Sequence, residues 1–64
     1  MITVYNVRSK AYTEDKVYVE QDGVFDFYGF RDAFEVCSIL NLYTKQDVMY
    51  KLISATDFKK IYKE

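Results

Sequence analysis

Hydrophobic and polar positions along this chain follow a two-residue period up to Gly29 and a helical period after it. Over residues 2–8 (Ile-Thr-Val-Tyr-Asn-Val-Arg) β-branched and aromatic side chains alternate, Ile2 and Val4 on one face and Tyr5 and Val7 on the other, which predicts a strand. A polar stretch from Ser9 to Asp15 interrupts the pattern. Residues 16–21 resume it, with Val17 and Val19 inward and Lys16, Tyr18 and Glu20 outward. Asp22-Gly23 separates this second strand from a third over 24–28 (Val-Phe-Asp-Phe-Tyr). An Asp-Gly pair between two alternating runs marks a two-residue hairpin, because both central positions of a type I′ turn need positive φ.

From Phe30 the apolar residues Phe30, Ala33, Phe34, Cys37 and Leu40 recur at three- and four-residue spacing, and Val36 and Ile39 widen the stripe. Asp32 and Glu35 sit at the end where a helix dipole favours acids, and Asn41 is a suitable left-handed stop, so the spacing predicts a helix over 31–41. Beyond it, Thr44-Lys45-Gln46-Asp47 and Ser54-Ala55-Thr56-Asp57 both carry the signature of a helix N-terminus, each with a hydrophobic staple, Tyr43 to Val48 and Ile53 to Phe58. As one helix these apolar residues scatter around the cylinder. Broken at Ser54 they form two coherent faces, which favours two short helices, 45–53 and 55–63. The alternation of Val48, Tyr50 and Leu52 supports a competing reading, a fourth strand over 47–53. The expected architecture is a single small α+β domain spanning residues 1–64. A three-stranded, mostly antiparallel N-terminal sheet has one apolar face covered by two or three short helices.

The composition supports a packed chain: half of the 64 residues are hydrophobic, there is no Pro, and the two Gly fall at the turn and at the strand-to-helix break. No run of apolar residues is long enough to span a membrane. The chain contains no His, which removes the commonest general acid/base and the commonest zinc ligand. A single cysteine, Cys37, closes no intramolecular disulfide, so a reducing, cytoplasmic setting is expected. At this length burial and chain entropy nearly cancel, and association into a homodimer is expected to supply the missing stability.

Cys37 lies on the helical stripe with Phe34 and Leu40, where a thiol behaves as a small hydrophobe; its other reading is a contact with its own copy across a dimer. The carboxylate pairs Glu14/Asp15 and Asp22/Asp26 fall in a polar loop and beside a hairpin turn, ordinary places for solvated acids. Lys59, Lys60 and Lys63 suit the last turn of a helix by their charge. No catalytic residue, cofactor site or metal site is expected, and the chain is read as a protein other than an enzyme.

Two features of composition do suggest a role. Seven Tyr and five Phe exceed what a small core can bury, so the rings either compensate for a thin core or form a binding face. Residues 11–36 hold seven acids against two bases, while the net charge of the whole chain is −1. Together they single out Tyr12, Tyr18, Glu20, Asp22, Asp26 and Tyr28 as candidate partner-binding residues. A row of outward acids on the second and third strands would also imitate a phosphate backbone, since alternate strand residues lie about 6.6 to 6.8 Å apart.

Residues 37–53, Cys-Ser-Ile-Leu-Asn-Leu-Tyr-Thr-Lys-Gln-Asp-Val-Met-Tyr-Lys-Leu-Ile, superficially resemble the helix-turn-helix of small excisionase-type DNA-binding proteins. The likeness rests on an Ile-Leu helix end and a Thr-Lys-Gln start to the second helix. The turn is one residue longer than in that group and lacks its small residue, and no functional residue is carried over.

The leading expectation is a small intracellular protein-binding module, an inhibitor or adaptor of a larger protein partner. Its richness in Lys, Tyr, Ile and Phe fits a phage or mobile-element product. The alternative is a DNA-binding regulator using segment 37–53.

Overall fold

Strand β1 (Ile2–Arg8) lies in the interior of the sheet, with neighbours on both edges and a helix over each face. The computed structural model describes residues 1–11 and 14–62, and after β1 it forms β2 (Lys16–Gln21), β3 (Val24–Gly29), helix α1 (Ala33–Thr44), β4 (Val48–Ser54) and helix α2 (Ala55–Ile61). The sheet is mixed, in the order β3-β2-β1-β4. β1 and β2 pair antiparallel with Val4 opposite Val19, β2 and β3 pair antiparallel, and β4 runs parallel to β1.

Alternation along β1 divides the core in two. Ile2 and Val4, with Val17 and Val19 of β2, pack against Ala33 and Val36 of α1, and Cys37, Leu40, Val48 and Tyr50 close around them. Tyr5 and Val7 on the opposite face pack against Phe58 of α2, with Tyr18, Phe25, Ile53 and Tyr62 at the margin. Both sheet faces are therefore covered, one helix each, where the sequence pattern suggests a single covered face.

The hairpin forms as the Asp-Gly pair predicts, with φ of 53° at Asp22 and 84° at Gly23. Asp32 lies just outside α1 as its N-cap, where its Oδ1 accepts from the Phe34 N–H at 2.9 Å. The helix runs past Asn41 to Thr44, and Lys45 takes the left-handed stop, its N–H donating to the Asn41 carbonyl at 3.1 Å. Asn41 bridges the following turn from its side chain, Nδ2 donating to the Gln46 carbonyl.

No helix forms over 45–53. Thr44, which has the look of a cap for that helix, closes a turn: its hydroxyl donates to the Leu40 carbonyl at 2.8 Å and accepts from the Gln46 N–H at 3.3 Å. The segment after it is a strand because β1, buried under helices on both faces, needs hydrogen-bond partners along its second edge. β4 supplies them in unbroken register from Ile2 opposite Val48 to Arg8 opposite Ser54. Among the described residues two helices are thus formed, and the resemblance to a helix-turn-helix over 37–53 loses its second helix. The cap at Ser54 is real: its Oγ accepts from the Asp57 N–H at 3.1 Å, and α2 starts at Ala55.

Candidate functional site

The register sends the candidate residues to different faces. Tyr18 sits opposite Tyr5, on the α2 face, with its ring 4.6 Å from Phe58, 5.1 Å from Phe27 and 5.5 Å from Tyr62. It is half-buried at the margin of an aromatic cluster on that face. Glu20, opposite Thr3 and Phe25, shares that face, and its charge adds to the burial that raises the Tyr5 phenol above its ordinary pKa. Much of the aromatic surplus is used here, where Phe25 and Tyr62 meet edge to face at 5.2 Å and Phe58 and Tyr62 stack at 5.4 Å.

Asp26 pairs with Val19 and so lies on the α1 face. Asp22, Asp26 and Tyr28 come together along a groove of about 490 Å³ between β3 and the C-terminal half of α1, whose other walls include Val24, Leu40 and Thr44. Three of the candidates therefore share one site, Tyr18 and Glu20 stand behind the sheet, and Tyr12 lies outside the described residues, as does Lys63. With Glu20 and Asp26 on opposite faces, the acids of β2 and β3 do not form a single row.

The groove combines a floor of buried apolar atoms with acids at its rim. Val24 and Tyr28 are exposed on its β3 side, and on α1 the 3.6-residue period sets Val36, Ile39 and Tyr43 on the flank away from Phe34. Since Phe34 stacks against Tyr50 of β4, that other flank is the one turned toward β3. Ile39 and the largely exposed Tyr43 lie on that flank, outside the groove walls, which α1 supplies through Leu40 and Thr44. Sequence reasoning missed Val24, Leu40 and Thr44 as groove residues: Val24 reads as an ordinary strand residue, Leu40 as core on a helical stripe, and Thr44 as the cap of a further helix.

Elsewhere the chemistry is sparse. Cys37 is half-buried against the α1-face core, and burial pushes its thiol pKa up, partly offset by a backbone hydrogen bond. It is a packing residue. Asn6 Nδ2 donates to Asp15 Oδ2 at 3.1 Å and to Tyr50 Oη at 3.3 Å, and its buried Oδ1 has no partner among the described residues. Among the described residues no group of three or more His, Cys, Asp or Glu could hold a metal ion, and no helix is long and apolar enough to cross a membrane. No protein family, curated protein or solved structure matches this chain.

Proposed function

We propose that this chain is a non-catalytic protein-binding module that takes a cationic, apolar segment of a larger protein partner in the groove between β3 and α1. The supporting observation is the convergence of Asp22 and Asp26 with Val24, Tyr28 and Leu40 around one concave surface. Apolar walls bind aliphatic side chains by excluding water, and rim carboxylates select Lys or Arg over acidic competitors and speed encounter. Tyr28 is the aromatic anchor on this surface. The single cysteine is consistent with action in a reducing, cytoplasmic compartment.

Selection of short random peptides on the immobilised protein tests this reading. Selected peptides are expected to combine Lys or Arg with Leu, Ile or Phe and to shift the amide resonances of Val24, Asp26, Tyr28, Leu40 and Thr44. They should lose about tenfold in affinity, or about 1.4 kcal/mol, on D22N/D26N. Peptides that map to another surface, or bind the double variant equally well, would overturn it.

A further inference from the structure

We infer that β4 is the dimerisation edge of this protein, pairing antiparallel with β4 of a second copy across a two-fold axis at Met49. The inference is independent of the groove, which lies at the opposite end of the sheet.

The two sheet edges differ in how they meet solvent. β3 has a break in register where Val17 and Tyr18 pair with it, ends at Gly29 with φ of 99°, and carries Asp26 near its middle. Bulges, kinks and central charges of this kind blunt an edge against further pairing. β4 has no bulge, no Gly and no Pro over its seven residues. Around it the chain leaves apolar surface open, with Met49 48% exposed, Leu52 50% and Phe34 64%, the last standing over Tyr50.

Lys51 decides the occupant. A lysine in an edge strand discourages pairing with an arbitrary strand, unless that strand brings an acid to the opposing position. A second copy does. If α1 is to lie on the same side of both halves, residues of equal parity must oppose one another. Centring on Lys51 sets two lysines face to face, and centring on Tyr50 sets Lys51 against Met49. Centring on Met49 places Lys51 opposite Asp47 twice, related by the axis, with Val48 opposite Tyr50 on the other face. Asp47 and Lys51 are both exposed and neither forms a salt bridge within the described residues; Lys51 Nζ stands 5.9 Å from the centroid of the Tyr5 ring opposite it, a contact that leaves its charge without a carboxylate. The pairing runs over residues 47–51 of each copy, because Lys45 just before them is in the left-handed turn, and it joins the two sheets into one of eight strands with one groove at each end.

Sedimentation equilibrium of the full chain, with charge variants, tests the register. The wild type should dimerise at micromolar concentration, while D47K and K51D, each folded by circular dichroism, should weaken dimerisation at least tenfold by opposing like charges. An equimolar mixture of the two single variants should form a one-to-one heterodimer, and the double variant D47K/K51D should recover the homodimer. A wild type that stays monomeric, including one that captures a strand of another protein instead, would overturn the inference. So would single variants that dimerise as well as the wild type, or a mixture that fails to associate.

Discussion

The ring of Phe34 lies nearly flat on that of Tyr50, with centroids 4.5 Å apart and planes 17° from parallel, and so ties the first turn of α1 to the edge strand β4. The contact joins residues sixteen positions apart, across the only crossover in the described fold that must pass over the sheet. Stacked aromatic pairs contribute about 0.5–1.5 kcal/mol beyond the area they bury. F34A is therefore expected to cost about 1 kcal/mol and lower Tm by about 4–8 °C, measured by thermal circular dichroism at one fixed chain concentration.

Phe58 is the buried contribution of α2 to the core on its face, 5.5 Å from the Tyr5 ring and 5.8 Å from that of Phe25. Truncating a buried Phe costs about 3–5 kcal/mol, and a domain of this size has about that much in total. F58A should leave the chain largely unfolded, seen as collapsed dispersion in a proton–nitrogen correlation spectrum. F58L, which keeps most of the apolar volume, should remain folded.

At Gly29, φ of 99° is the obstacle to a side chain, since a Cβ built there would meet nothing within 4 Å. G29A should destabilise by about 1 kcal/mol or more through backbone strain alone. The urea midpoint is expected to fall with an unchanged m-value, because nothing need repack.

Tyr5 should make stability fall in alkali. Burial, with a contribution from Glu20, raises its pKa above the ordinary 10.0, so the native state holds the phenolic proton more tightly than the unfolded state. Its stabilising effect is full below the ordinary value and is lost as pH rises through the higher native value. Urea midpoints across about pH 9 to 12 should decline, and Y5F should decline less steeply.

Cys37 should react slowly with a thiol reagent in the native state, because burial raises its pKa and reduces the thiolate present at neutral pH. The rate should rise sharply in denaturant. A native rate equal to the unfolded one would contradict its place in the core.

Features settled by near neighbours in the chain were legible in the sequence. The Asp22-Gly23 hairpin needed only two residues able to adopt positive φ, the bounds of β1 and β2 followed from alternation, and the Ser54 cap followed from one hydroxyl within reach of one N–H three residues on. Asp22, Asp26 and Tyr28 were singled out from the sequence within a larger group, and what it did not give was their separation from Tyr18 and Glu20 onto the other face of the sheet.

Tertiary structure decided the rest, because the deciding partners are far apart in sequence. The segment after Thr44 has local signals for a helix and alternation for a strand, and the open edge of β1, more than forty residues earlier, selected the strand through a seven-residue ladder of backbone pairs. Alternation specifies that Tyr18 and Glu20 share one face and that Val19 lies on the other. It does not specify that α2 covers the first, which half-buries Tyr18 against Phe58, or that α1 lies over the second, which brought Leu40 into one groove with Asp22 and Asp26. A period of two assigns residues to sides, and only packing gives each side its neighbour.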